Sequence, residues 1–247
     1  MAGVDFTTVV ATDEKYLDQF RSTYPTWAKH KKEIVEHPLV VIADSTTLKW
    51  RDWRDKLSWL DHPDWTLSTW DWDVEGMSQR ELMLSAFVLY APFLVNTKYW
   101  LKIDTDAVAS NGDPWILSEW FEGDPAIVAS GWGYTKPASS LDVLELWAET
   151  VPALASCASL GIVTTPGAEC YSHKRIGSWL AFFDTAWTRD VSLFVDERLP
   201  VPSEDTYHWY CAARMERMVQ RVNFKAMGWQ NWHTRRTREA KIAEAME

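Results

Sequence analysis

Over the first hundred residues, short β-branched apolar bursts alternate with longer stretches of helical spacing. Phe6-Thr7-Thr8-Val9-Val10-Ala11 is the first burst and predicts a strand. After Thr12-Asp13, apolar residues at Leu17 and Phe20 predict a helix running to about Trp27. Pro38-Leu39-Val40-Val41-Ile42-Ala43 predicts a second strand, ending at Asp44. A single helical crossover between them predicts a parallel βαβ start. Leu48 to Trp59 reads as a further amphipathic helix. Ser78 is placed to cap a long helix from Gln79 to about Phe93, with Glu81 completing a capping box. Leu82, Phe87, Val88 and Leu89 would then face the sheet. Tyr99-Trp100-Leu101-Lys102-Ile103 predicts a strand that stops at Asp104.

Beyond it, strands are expected at Ala126 to Ser130 and around Leu180 to Phe183. A helix is expected from Glu204 to about Val219, and a last short strand at Arg221 to Phe224. Asp113-Pro114 marks a break and Thr164-Thr165-Pro166-Gly167 a loop. The alternation predicts an α/β fold with a mostly parallel central sheet flanked by helices. No repeat or Pro/Gly-rich linker divides the chain, so one domain over 1–233 is expected, with 234–247 as a basic then acidic tail.

Composition narrows the function classes. Hydrophobic residues make up 47% of the 247, enough to exclude wholesale disorder. The net charge of -10 argues against a protein that holds duplex DNA mainly through phosphate contacts. Charge is uneven, though: Thr234-Arg235-Arg236-Thr237-Arg238-Glu239-Ala240-Lys241 is a local basic tract. Cys157, Cys170 and Cys211 are sparse and lack Cys-x-x-Cys spacing, as expected of reduced thiols in a cytoplasmic protein. No secretory signal pattern or membrane-length apolar run stands out. Tryptophan is the outlier, at 17 residues, six of them between Trp50 and Trp72. Core packing is one reading of that density; stacking on sugar rings or bases is the other.

The chemistry concentrates at the strand ends. Ligands of open α/β sheets bind beyond the carboxyl ends of the strands. Asp13, Asp44, Asp104 and Asp106 would converge there. Asp104-Thr105-Asp106 places two carboxylates one residue apart at the end of an apolar strand, where they could share one hard cation. Oxygen ligands completed by substrate phosphates suit Mg²⁺ or Mn²⁺. Each residue also has a structural reading. Asp13 and Asp44 suit helix caps, the acidic pair suits a turn, and Glu204-Asp205 suits a helix N-terminus.

The order of these pieces resembles the GT-A class of nucleotide-sugar glycosyltransferases. Thr12-Asp13 follows the first strand, Asp44 the second, Arg80 lies on a long helix, and Trp100 to Asp106 supplies an Asp-x-Asp. Ser203-Glu204-Asp205-Thr206 is similar to the acidic pair that opens a later helix in many of those enzymes. His233 lies where many of them place a C-terminal metal-binding histidine. The resemblance covers about residues 4–233 and rests on short motifs in order. It implies Asp104, Asp106 and His233 around Mn²⁺ or Mg²⁺, and Thr12, Asp13, Asp44, Arg80 and Thr105 against the nucleotide-sugar donor. It also implies Asp205, or Glu204, as the base for the acceptor hydroxyl, which suits inversion by a hexosyl- or pentosyltransferase. Trp132 and Tyr134 in the loop Gly131-Trp132-Gly133-Tyr134, and Trp179, would flank the acceptor, with Trp187 lining the same cleft or packing.

Other chemistries lose support. Gly-x-x-x-x-Gly-Lys-Ser/Thr, Gly-x-Gly-x-x-Gly, Gly-x-Ser-x-Gly and His-Glu-x-x-His are all absent. A metal-dependent nucleotidyltransferase is the nearest rival, but residues 11–22 lack a Gly/Lys/Arg-rich triphosphate loop. A non-catalytic carbohydrate- or nucleic-acid-binding module is a third reading. The acceptor is open, a glycan or modified DNA among the options.

Overall fold

The computed structural model describes residues 3–46, 48–71, 79–111, 114–133, 174–193, 207–208, 211–212, 215, 217–231 and 235–247; at 79–82, 84, 131–133, 174–178 and 235 only the backbone is described. In chain order these form β1 (Phe6–Thr12), α1 (Glu14–His30), α2 (Lys32–Glu36), β2 (Leu39–Asp44), α3 (Trp50–Lys56), β3 (Trp65–Trp70), α4 (Gln79–Leu89) and α5 (Ala91–Leu94). There follow β4 (Tyr99–Ile103), β5 (Ala107–Ala109), a 3-10 turn at Ser118–Phe121, β6 (Ile127–Gly133), β7 (Lys174–Asp184), α6 (Thr185–Ser192), β8 (Val219–Val222), β9 (Trp229–Asn231) and α7 (Arg235–Met246).

Seven strands form one sheet in the order β3-β2-β1-β4-β7-β6-β8. The first four run parallel, as the βαβ pattern requires. β7 is antiparallel to both β4 and β6, and β8 runs parallel to β6. The mostly parallel α/β architecture is therefore the expected one. Helices cover both faces, so β1, β2 and β4 are buried at every residue and read as continuous apolar runs. Alternation sorts their side chains into two cores. Val9, Ala11, Val40, Ile42 and Trp100 pack with Phe87 and Val88 of α4 and Trp187 of α6. Val10, Val41, Leu101 and Ile103 pack with Phe20, Tyr24 and Trp27 of α1 and Trp53 of α3.

Tryptophan supplies much of this volume. Trp27, Trp53, Trp70, Trp100, Trp115, Trp187 and Trp229 are all fully buried. In the Trp50 to Trp72 cluster, Trp53 and Trp70 belong to the core and Trp59 and Trp65 are half-buried. Trp50 is exposed, with Arg54 lying 5.4 Å from its ring and 5.2 Å from that of Trp65. Trp72 lies outside the described residues.

Several elements differ from expectation. The long helix divides: α4 ends at Leu89 and α5 begins at Ala91, because Pro92 lacks the N–H needed to continue the ladder. Ser78, its expected cap, lies outside the described residues. Gly131-Trp132-Gly133, expected in a loop, continues β6 and pairs with Ile176-Arg175-Lys174 beyond a bulge at Ala129/Ser130. Val219 begins a strand, not the end of a helix, and the last strand of the large sheet closes at Val222. Of the helix expected from Glu204, only scattered residues are described. The loop 164–167, Asp113, Cys157 and Cys170 fall outside the described residues. Strands β3, β5 and β9 carried no sequence expectation.

A second, two-stranded sheet pairs β5 with β9 antiparallel, Ala107 opposite Asn231. Gly228 makes this approach possible. Its φ is +79°, and a Cβ there would lie 2.4 Å from both the Ser110 and Asn111 carbonyl oxygens. Ser110 N donates to Gly228 O at 2.7 Å, and the buried Lys31 donates to Met227 O at 2.8 Å. Gly228→Ala is expected to lower stability by about 1–3 kcal/mol from the left-handed backbone alone, before the clash is counted. Urea unfolding would measure it, and an unchanged midpoint would refute the argument.

The chain after β9 ends in α7, which docks on α1. Lys29 Nζ donates to Ala245 O at 3.2 Å and Met246 O at 2.8 Å, and His30 Nε2 donates to Ala245 O at 2.5 Å. The Lys29 ammonium at the carbonyl end of α7 suits that helix's dipole. Among the described residues no helix is long and apolar enough to cross a membrane.

Candidate functional site: an acidic turn at the sheet edge

The β4–β7 ladder continues one step past Ile103, where Asp104 N donates to Trp179 O at 2.8 Å. The chain then reverses: Ala107 N donates to Asp104 O at 3.0 Å and closes a four-residue turn, Asp104 to Ala107. Thr105 points inward. Its hydroxyl donates to Gln19 Oε1 at 3.1 Å, and its carbonyl accepts from Thr23 Oγ1 at 2.8 Å. Trp27 Nε1 donates to Ala107 O at 2.7 Å, and Ala109 N donates to Thr26 Oγ1 at 3.0 Å. One face of α1 thus holds the turn through polar bonds, those from Thr23, Trp27 and Thr26 buried and that of Gln19 part-buried. Asp104 and Asp106 are partly exposed, whereas Thr105 is buried.

Residues 100, 102 and 104 share one face of β4, since strand side chains alternate. Lys102 is therefore beside Asp104, and its Nζ donates to Asp104 Oδ1 at 2.5 Å. The lysine side chain is 1% exposed and the Asp104 side chain 38%. The ammonium lies 4.7 Å from the Phe87 ring centroid. Strand alternation turns Lys102 away from Ile103. The same alternation turns it toward Asp104, which is where the signal lay.

The pairing of Thr12 with Ala43 brings Asp13 and Asp44 side by side at the same sheet edge. Asp13 caps α1, accepting from Tyr16 N at 2.9 Å, and Thr12 Oγ1 donates to Asp13 O at 3.1 Å. Asp44 accepts from Thr46 N at 2.8 Å and from Thr46 Oγ1 at 2.7 Å, and its carbonyl accepts from Trp53 Nε1. Burial pushes the Asp13 carboxyl above its ordinary value; the Tyr16 and Lys15 amides pull it back, and the neighbouring Asp44 adds a smaller upward push.

Trp179 is buried, at 5% exposure, and meets the acidic turn through its carbonyl. Trp187 is buried too; its amide donates to Asp184, which caps α6. His208 lies in a ring of aromatics, 4.7 Å from Phe183, 6.2 Å from Trp100 and 6.1 Å from Trp187. That puts it on the same side of the sheet as Lys102 and Asp104. Arg80 sits on α4 and Trp132 on β6, but their side chains are outside the description, as are Glu204, Asp205, Tyr134 and His233 altogether. Among the described residues no three His, Cys, Asp or Glu side chains form a metal-binding group. The residues missed from the sequence are Gln19, Thr23, Thr26 and Trp27, whose part was legible only as α1's buried polar positions.

This sheet order, with β7 reversed between β4 and β6, is the GT-A fold. Three of the solved structures with this likeness illustrate it. Core-mannan synthase A from Aspergillus fumigatus, in an Mn/GDP form, superposes with a TM-score of 0.55 at 14% identity, over 93% of this chain and 75% of that one. Mouse xyloside xylosyltransferase 1 gives 0.52 at 9% identity, over 89% and 86%. The 4-diphosphocytidyl-2C-methyl-D-erythritol synthase of Anaerococcus prevotii, a nucleotidyltransferase, gives 0.56 at 10% identity, over 100% of both chains. No protein-family model matches the chain, and no curated protein matches it by sequence.

Proposed function

We propose that this chain is a metal-dependent glycosyltransferase that moves a sugar, a hexose or pentose, from a nucleoside diphosphate donor to an acceptor hydroxyl. The carrying observation is the rigid turn Asp104-Thr105-Asp106, two partly exposed carboxylates at the carboxyl edge of a GT-A sheet. Asp13 and Asp44 line the neighbouring strand ends, within reach of a nucleoside's base or ribose hydroxyls, with Thr12 between them and the core. Arg80 and Thr105 complete the proposed donor contacts, Arg80 as a fixed cation and Thr105 through the backbone of the turn.

The donor set suits a hard cation. Two carboxylates one residue apart offer oxygen ligands and leave the rest of the shell to phosphate oxygens, as Mn²⁺ or Mg²⁺ prefers. Asp104 and Asp106 would hold the ion with His233. The register supports that third ligand, because Asn231 pairs with Ala107, next to Asp106, two residues before His233. The ion supplies charge stabilisation for the departing diphosphate. Asp205, or Glu204, takes the proton of the acceptor hydroxyl, and a base on the acceptor side suits displacement with inversion. His208, three residues after Asp205, is buried beside Phe183, which supports this reading. Trp132, Tyr134 and Trp179 flank the proposed acceptor side. Residues 1–233 form the catalytic unit, and α7 (Arg235–Met246) docks on its α1. The sparse cysteines suit a cytoplasmic setting.

The full-length match to a nucleotidyltransferase keeps one second reading in play. A panel of nucleotide sugars, with and without Mn²⁺, separates the two. The transferase releases nucleoside diphosphate only with metal. Pyrophosphate release from nucleoside triphosphate and sugar phosphate would replace this reading with the rival. Binding of sugar or DNA without any turnover would leave a binding module.

A further inference from the structure

We propose that two copies of this chain associate through β3, their edge strands pairing antiparallel about a two-fold axis at Leu67. β3 ends the seven-stranded sheet, with β2 on one side and, among the described residues, no strand on the other. Leu39 N donates to Asp64 O at 3.0 Å, and Ser45 N donates to Trp70 O at 2.7 Å. Backbone groups alternate sides along a strand, so residues 64, 66, 68 and 70 serve β2. Trp65, Leu67 and Thr69 turn their N–H and C=O groups outward, where no described residue pairs with them.

Natural sheet edges are blunted by charge, proline, bulges or brevity. β3 has none of these. Trp65-Thr66-Leu67-Ser68-Thr69-Trp70 carries no charge and no proline, and its ladder to β2 runs from end to end without a register shift. The opposite edge, β8, is four residues long and carries Arg221. An aromatic shelf flanks β3. Trp50 is 48% exposed, and the Arg54 guanidinium lies 5.4 Å from its ring and 5.2 Å from that of Trp65. Tryptophan and arginine are the residues that most often anchor interfaces.

A second copy fits this edge by symmetry and by charge. A two-fold axis normal to the sheet leaves each face on its own side, so residues that meet across it must share a face. Trp65 and Leu67 both pack on the Trp53 side of the sheet, and Thr69 follows by alternation. With the axis at Leu67, that residue meets its own symmetry copy and Trp65 meets Thr69, an aromatic opposite a β-branched residue, which is a favourable cross-strand pair. Each of these pairs exchanges two backbone hydrogen bonds. The chain carries a net charge of -10. β3 is uncharged, and α3 sets Arg51, Arg54 and Lys56 against Asp52 and Asp55, so this edge escapes the repulsion between two acidic molecules. Pairing about a two-fold axis consumes the edge, and association stops at the dimer.

The test measures the mass of the full chain in solution by light scattering over about 1–100 μM, with hydrogen exchange read at single amides. The wild type is expected to reach twice the mass of one chain at the upper end. The Leu67 and Thr69 amides should slow as the dimer forms, whereas those of Thr66 and Ser68, bonded to β2, are slow at every concentration. Thr69→Pro removes an N–H that faces outward and leaves the β2 ladder whole. It is expected to weaken dimerisation at least about tenfold, from the donor lost on each side of the axis. Thr69→Lys, which puts a charge on the edge, serves where the proline variant folds poorly by circular dichroism. A wild type that stays monomeric throughout overturns the proposal. So does a dimer that both variants form as tightly as the wild type, because another face then holds it. Leu67 and Thr69 amides already slow in the dilute monomer would show another segment of the same chain covering the edge, and slowing only on addition of an extended peptide would give the edge to a different partner; either result overturns self-association.

Discussion

Replacing Asp106 by Asn is expected to lower Mn²⁺-dependent nucleotide binding at least about a hundredfold, roughly 3 kcal/mol, with the fold retained. The amide keeps the shape of the carboxylate but loses its charge, and charge is what a hard cation requires. The turn itself survives, because the bond that closes it joins the backbones of Ala107 and Asp104. Asp104→Asn is expected to cost as much in binding, but it is the less clean variant. It also removes the carboxylate charge to which Lys102, with a side chain 1% exposed, donates. Breaking a buried ion pair from one side destabilises the folded state, so a lowered melting temperature should accompany the lost binding in that variant alone. Calorimetric titration of nucleotide with and without Mn²⁺, alongside thermal unfolding, separates the two effects. Full Mn²⁺-dependent binding in both variants would remove the proposed metal site.

The second large effect concerns the acceptor. Asp205→Asn is expected to keep donor and Mn²⁺ binding and to slow transfer by about 10²- to 10⁴-fold, the usual worth of a positioned base. The distinction matters because a donor-site residue would change both quantities. An acceptor hydroxyl attacks poorly while it keeps its proton, and an amide in place of the carboxylate cannot accept one. If Glu204 is the base instead, Glu204→Gln carries the loss and Asp205→Asn does not. Transfer at the wild-type rate in both variants would move the base elsewhere. Single-turnover measurements with saturating donor expose the chemical step, which slow product release would otherwise hide.

Much of the fold was legible in the chain because parallel strands buried on both faces must be apolar throughout. β1, β2 and β4 announced themselves in this way, and their order with α1 between the first two fixed the parallel start. β3 escaped notice. As an edge strand it is only half-buried, and Trp65-Thr66-Leu67-Ser68-Thr69-Trp70 lacks a continuous apolar run. β5 and β9 escaped for a different reason. Three residues each are too few for a periodic signal, and their pairing joins positions more than a hundred residues apart. Gly131 to Gly133 looked like a loop because glycine weakens strand propensity, yet the ladder to β7 carries them through a bulge.

The acidic turn divides along the same line. That Asp104 and Asp106 end an apolar strand is a local fact, set by residue order and by the reach of the chain. The sequence also carried the alternation that puts Trp100, Lys102 and Asp104 on one face. Whether that face holds water, a helix or an aromatic ring is decided by what packs there, and only the tertiary structure places Phe87 over the Lys102 ammonium. Likewise Asp13 fills its expected local role as a helix cap, whereas Asp44, expected to be one too, instead accepts from Thr46 in the turn after β2. Their approach to one another follows from the register of β1 on β2, which lifts the Asp13 carboxyl through burial and a neighbouring charge. Local physics determined the strands, caps and turns of this protein; the meeting of groups distant in sequence, on which electrostatics depends most steeply, was decided by packing.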